Sequence, residues 1–162
     1  MANSFYNIDS VLINGGNHIT LGGIYNDQFE DWINNGLYLD IEDYSDTLVP
    51  VGDSYEISTV DGLRDLLGFA DREGYKFRLA EDIDLSDEPG LYIPYLAADF
   101  YGNNHTISNL HINIPFSVCV GMFGYVTPSG RVHNVGVVDV YVSGDRAVGG
   151  LVGWNEGTVE NS

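Results

Sequence analysis

The chain has 162 residues, 44% of them apolar, which suffices for one domain with a real core and excludes wholesale disorder. It carries 24 Asp and Glu against 6 Lys and Arg, a formal charge of −18, and such a surface repels nucleic acid and anionic membranes. No apolar stretch reaches the roughly 18 residues of a membrane-spanning helix.

In chain order, residues 4–54 read as a first coil of short strands with an inserted helix. Ile8, Val11, Leu12 and Ile13 lead into the turn Asn14-Gly15-Gly16-Asn17. Phe29, Trp32 and Ile33 fall on one helical face over 26–36, with Asn26 to cap the start and Gly36 to end it. Residues 37–41 alternate again, and Asp40, Glu42, Asp43 and Asp46 gather around Tyr44. Pro50 and Gly52 break 49–57 into a loop and a short strand.

Residues 55–100 read as a helix with connecting strands. The spacing predicts a helix over 59–71, with Ser58 or Thr59 as cap and Asp61 in the first turn. Val60, Leu63, Leu66, Leu67 and Ala70 line its apolar face, and Gly74 closes it. Residues 75–79 resume a strand. Ile83 and Leu85 then alternate with Asp82 and Asp84, and the offset from Ile83 to Ile107 (107 − 83 = 24) announces another coil.

Residues 101–162 repeat themselves three times. Gly121-Met122-Phe123-Gly124-Tyr125 returns as Gly150-Leu151-Val152-Gly153-Trp154, 150 − 121 = 29 residues on. A second alignment puts Ile107, Val132 and Val159 in one inward column, and Asn109, Asn134 and Asn161 in a column of corners. A period between about 20 and 50 residues, filled only by strands and turns, predicts an all-β solenoid, a parallel β-helix with one or two short packed α-helices. The whole of 1–162 forms one domain. Its closing Asn161-Ser162 matches its opening Asn3-Ser4, as expected for one unit of a longer tandem array whose copies are spaced 161 − 3 = 158 residues apart.

The chemistry-bearing residues are sparse. The single cysteine, Cys119, lies in an apolar run and is expected to be buried and inert. His18, His105, His111 and His133 lack zinc spacing, and the glycine-rich pieces lack the Lys-Ser/Thr of a phosphate cradle. Asp82 and Asp84 have a separation open to a glycosidase, but any Asp-x-Asp has it, and Arg131 and Arg146 have no paired role. The chain reads as non-catalytic, with a carbohydrate-active enzyme or its glycan-binding accessory as the alternative.

Asp82, Asp84, Ser86, Asp87 and Glu88 are dense in oxygen and form a candidate Ca²⁺ site. The start resembles an EF-hand loop, yet Asp87 stands where Gly belongs and Ile93 where Glu belongs. Tyr92, Tyr95, Phe100, Tyr101, Tyr125, Tyr141 and Trp154 offer a sugar-stacking strip. Phe100, Tyr125 and Trp154 are expected instead to pack in the core or against corners.

The segments VGGLVGWNEGTVENS, VGMFGYV and FYGNNHTISNLHI resemble the repeats of GLUG-motif proteins, with Gly150-Leu151-Val152-Gly153 as the motif and Gly121-Met122-Phe123-Gly124 as a variant. The likeness extends upstream to about Tyr55. Such motifs occur in large bacterial surface adhesins and in accessory regions of secreted immunoglobulin-cleaving peptidases, so the resemblance implies a right-handed β-helix and an extracellular setting, with any signal for export outside these residues. The last coil, 148–159, would have an unpaired face, so the expected partners are neighbouring repeat units or end-to-end copies of the chain, with surface glycans as a further candidate.

Overall fold

A computed structural model describes residues 44–162, preceded by the short antiparallel pair β1 (Leu12–Ile13) and β2 (Asn17–His18). The two strands pair antiparallel, not in parallel as in a coil. The helix expected over 26–36, the alternation over 37–41 and the acidic cluster up to Asp43 lie outside the described residues.

The described chain is all-β. It begins with a 3-10 turn at Tyr44–Asp46 and the hairpin β3 (Val49–Val51) and β4 (Ser54–Ile57). Gly52 supplies the turn at φ 65. Pro50 has no N–H to donate, which suits the outermost strand of a sheet.

From Thr59 the chain enters helix α1 (Val60–Asp65), continued as a 3-10 turn over Leu66–Gly68. Thr59 caps it, its hydroxyl accepting from the Gly62 N–H at 3.1 Å. The helix is shorter than the 59–71 expected. Gly62 and Gly68 weaken its interior, and the Ala70 carbonyl turns away to accept from the Ala97 and Ala98 N–H groups. Leu63, Leu66 and Ala70 are nevertheless buried in the main core as the pattern required. α1 is the crossover between β4 and β5 (Lys76–Leu79), which pair in parallel and so need such a connection. Leu63 and Leu66 pack in the same core cluster as Ile57 of β4 and Phe77 and Leu79 of β5.

Beyond β5 the chain winds. After β6 (Ile83–Asp84) and β7 (Ile93–Leu96) comes a turn of five strands: β8 (Asp99–Tyr101), β9 (Thr106–Ser108), β10 (His111–Asn113), β11 (Val118–Val120) and β12 (Phe123–Val126). A second turn follows with β13 (Arg131–His133), β14 (Gly136–Val138), β15 (Tyr141–Ser143), β16 (Arg146–Val148) and β17 (Val152–Asn155), and then β18 (Thr158–Glu160). From β4 onward every pairing is parallel and in register, giving the orders β4-β5-β8-β13-β18, β6-β9-β14, β10-β15, β11-β16 and β7-β12-β17.

The inward side chains stack like over like. Phe77, Phe100, Val132 and Val159 form one column, Ile83, Ile107 and Val137 a second, and Ile93, Phe123 and Val152 a third. Phe77, Phe100 and Phe123 are fully buried, each contributing about 1.5–3 kcal/mol by area transfer. The expected column Ile107–Val132–Val159 is therefore half right. Val132 does sit under Val159, but Ile107 belongs to the neighbouring sheet and pairs with Val137. With five strands per turn, the local period at Ile107 is 137 − 107 = 30 residues, and the offset of 25 stepped onto the wrong face.

The Asn column divides in the same way. Asn134 and Asn161 follow the paired residues His133 and Glu160, at φ 51 and 54. Asn109 instead matches Asp139, at φ 58 and 53. Cys119 and Ala147 make a third left-handed pair, at φ 58 and 54. Cys119 is half-buried at this bend and not in the core, a correction to the sequence reading.

The glycine motif acts at a corner. Met122 and Phe123 donate to the carbonyls of Gly150 and Leu151 one turn away. A Cβ on Gly124 would stand 2.6 Å from the Cys119 carbonyl oxygen, and one on Gly153 would stand 2.5 Å from the Val120 nitrogen. The second glycine of each motif is thus required by backbone approach. Pro94 takes this place in the preceding turn, which hides the equivalence in the sequence.

Candidate functional site

Among the outward features, the acidic turn after β6 comes first. Asp82 Oδ1 accepts from the Thr106 N–H at 2.8 Å and lies 3.2 Å from His105 Nδ1. Asp84 Oδ1 accepts from the side-chain amide of Asn109 at 2.8 Å and from the Ser86 N–H at 2.9 Å. The Thr106 backbone N–H holds the Asp82 carboxyl below its ordinary value, and the Asn109 amide does the same for Asp84. Glu88 reaches the other way, to Arg64 of α1 at 2.7 Å.

Of the candidate set Asp82, Asp84, Ser86, Asp87 and Glu88, three carboxylates thus answer to different partners. Asp82 and Asp84 brace the next turn of the chain, and Glu88 braces the helix. Among the described residues, no group of three or more His, Cys, Asp or Glu side chains is gathered to hold a metal ion. Two-residue alternation sends Asp82 and Asp84 out on one side, and hydrogen bonds to the next turn orient the two carboxylates separately. An open groove of about 710 Å³ lies beside them, bordered by Ser86, Pro89, Asn109, His111, Asp139 and Tyr141. His111 and Tyr141 stack along its side at 4.7 Å.

Arg131 lies 3.8 Å from Asp99, its parallel-strand neighbour, and Arg146 lies 3.2 Å from Asp145. Both ion pairs are local to the surface.

The third feature is a column of aromatics on the outside of β7-β12-β17. Tyr95, Tyr125 and Trp154 occupy one register position on three successive turns. Tyr95 is 47% exposed and Trp154 50% exposed, with Tyr125 half-buried between them. The rings of Tyr95 and Tyr125 lie 5.4 Å apart, inclined at 53°. Glu156 ties the column together: one carboxylate oxygen accepts from the Tyr125 hydroxyl at 2.6 Å, the other from Trp154 Nε1 at 3.3 Å. That bond to Glu156 raises the Tyr125 phenol to about 12.

Of the seven aromatics considered from sequence, Phe100 is core, as expected. Trp154 and Tyr125 are not. They face outward because Phe123 and Val152 already fill the inward positions of their strands. Tyr101 stacks on His133 at 5.0 Å in a different column. Tyr92 packs against the core edge. Sequence reasoning missed Glu156, although it follows Trp154 by two residues. It also missed that Tyr95 completes the column at an offset of 125 − 95 = 30.

No family model matches the chain, and no solved structure matches it. Among curated proteins, it is 31% identical over 115 residues to a "Putative Gly-rich membrane protein" of Evansella cellulosilytica, covering 63% of this chain and 13% of that protein. It is 32% identical over 123 residues to halomucin of Haloquadratum walsbyi, covering 66% of this chain and 1% of that protein. The chain thus resembles a small part of each of two much longer proteins.

Proposed function

We propose that this chain is a non-catalytic structural and adhesive module of a large extracellular surface protein, built as a right-handed parallel β-helix that serves as a stiff stalk or display scaffold. The observation that carries this reading is the in-register stacking of like residues across successive turns. Backbone hydrogen bonds run along the stack, so bending it means breaking them in series. The GLUG-like motifs at equivalent corners support the same reading. The relatives' names, a Gly-rich membrane protein and a halomucin, support the surface setting.

Each parallel sheet ends at the last turn, and β14 to β18 have an unpaired outer edge among the described residues. Val137, Val142, Leu151, Val152 and Val159 are only half-buried there. A further repeat unit or a second copy of the chain would cover them. The test of the surface reading is antibody labelling of cells that make the protein. Intact cells should label as strongly as permeabilised ones, and labelling that requires permeabilisation overturns the reading. Self-association is tested apart from this, by light scattering over a concentration series. The apparent mass should rise with concentration, and a constant monomer mass rejects end-to-end stacking.

A further inference from the structure

The column Tyr95–Tyr125–Trp154 has no structural task that explains its exposure. The inward neighbours Ile93, Phe123 and Val152 already form the apolar stack of these strands. One exposed aromatic is ordinary, but three in a single register column place an apolar strip on the outside. On the adjoining sheet the equivalent outward positions are polar, with Asp99, Arg131 and Thr158 in one column. The strip is also held in place. Glu156 accepts from both Tyr125 and Trp154, which restricts the two rings before any ligand arrives.

We propose that this column binds a neutral glycan chain laid along the stacking axis, with sugar C–H faces on the rings and sugar hydroxyls donating to Glu156. Parallel strands lie about 4.8 Å apart, so three rings underlie a length of roughly 10 Å, suited to two adjoining sugar rings. Each oxygen of Glu156 holds one protein donor and has a second lone pair for a hydroxyl. Two alternatives fit less well. An organic cation is held by rings that surround it, whereas these rings lie in one open row. An anionic polysaccharide is repelled by a chain of formal charge −18.

The proposal rests on the surface-module reading and names the ligand class of its adhesive face. It is tested by titrating the full chain with cellohexaose, xylohexaose and mannohexaose, and in parallel with oligogalacturonate and choline, followed by calorimetry. At least one neutral hexaose should bind saturably, with Trp154→Ala abolishing binding and Tyr95→Ala weakening it at least tenfold. Circular dichroism of both variants should match the parent, since both side chains are about half exposed. Glu156→Gln keeps the acceptor oxygen and should retain more binding than Glu156→Ala. The proposal is overturned if none of the three hexaoses binds, if binding survives both aromatic substitutions, or if choline or oligogalacturonate binds in their place. Loss of sugar binding with intact-cell labelling preserved rejects the ligand and leaves the stalk. Labelling confined to permeabilised cells rejects the stalk whatever the sugars do.

Discussion

The side-chain amide of Asn109 donates to Asp84 at 2.8 Å, joining residues on adjacent turns of the chain. Asn109 also holds a left-handed backbone at φ 58 and gives its N–H to the Val138 carbonyl on the following turn. One residue thus touches three turns, and its type is set by two separate demands: a tolerated positive φ and a side-chain donor.

Asn109→Ala should therefore lower stability more than Asn109→Gly. The left-handed backbone costs a residue with a Cβ about 1–2 kcal/mol, and glycine escapes this term. Urea denaturation of both variants measures the difference. Equal losses would show that the backbone conformation is not what selects Asn here.

The two glycines of one motif should respond to substitution very differently. Gly153→Ala brings a methyl group within 2.5 Å of the Val120 nitrogen and 2.7 Å of the Ala147 carbonyl oxygen, both backbone atoms. It should cost about 1–3 kcal/mol or more by overpacking. Gly150→Ala meets only Val140 Cγ1 at 3.5 Å and should change stability by no more than about 0.5 kcal/mol. Thermal melts of the pair check this ordering.

Acid should loosen the joint between the acidic turn and the next one. The folded state holds Asp82 and Asp84 below their ordinary value of 3.8. A carboxyl depressed by folding contributes stability that is present above its unfolded pKa and is lost as pH falls through the folded one. Stability should decline as pH drops below about 4, and the paired substitution Asp82→Asn and Asp84→Asn should flatten that part of the curve. An unchanged acid profile in the double variant removes these carboxyls from the explanation.

Tyr125 carries the opposite sign. Its phenol, raised from 10 to about 12 by the bond to Glu156, contributes stability below pH 10 that is lost as pH rises through 12. Ultraviolet titration of the tyrosines should show a late-ionising group that disappears in Tyr125→Phe and moves down in Glu156→Gln. A titration curve identical in the parent and Glu156→Gln contradicts the hydrogen bond.

Calcium provides a separate check on the acidic turn. Because Asp82, Asp84 and Glu88 answer to different partners, millimolar CaCl₂ should move the melting temperature no further than MgCl₂ at equal ionic strength. A calcium-specific rise that vanishes in Asp84→Asn would restore the site as an ion-binding one.

Much of this chain was legible before its fold was known. Strand-turn alternation without helical periodicity marked 101–162 as all-β, because the pleat imposes a period of two on buried side chains. The match of Gly121–Tyr125 to Gly150–Trp154 was correct to the residue, since both glycines and aromatics recur there. The cap Thr59 and the buried face of α1 were readable because helix ends and apolar faces are local properties.

What the one-dimensional pattern left open was which residues meet across turns. Ile107 and Val132 are both inward aliphatics near an Asn corner, and nothing local distinguishes two faces of one turn. Only the closure of each turn by five strands assigned Ile107 to Val137 and Val132 to Phe100. The outward strip was decided at the same level. Pro94 replaces the glycine of the motif, so Tyr95 gives no sign of its kinship with Tyr125, and Glu156 gains its role only when two turns bring a phenol and an indole to its two oxygens. Residue types determined the strands, corners and cap because those depend on neighbours in sequence, whereas the columns depend on the length of chain between contacts, which insertions alter without changing the pattern.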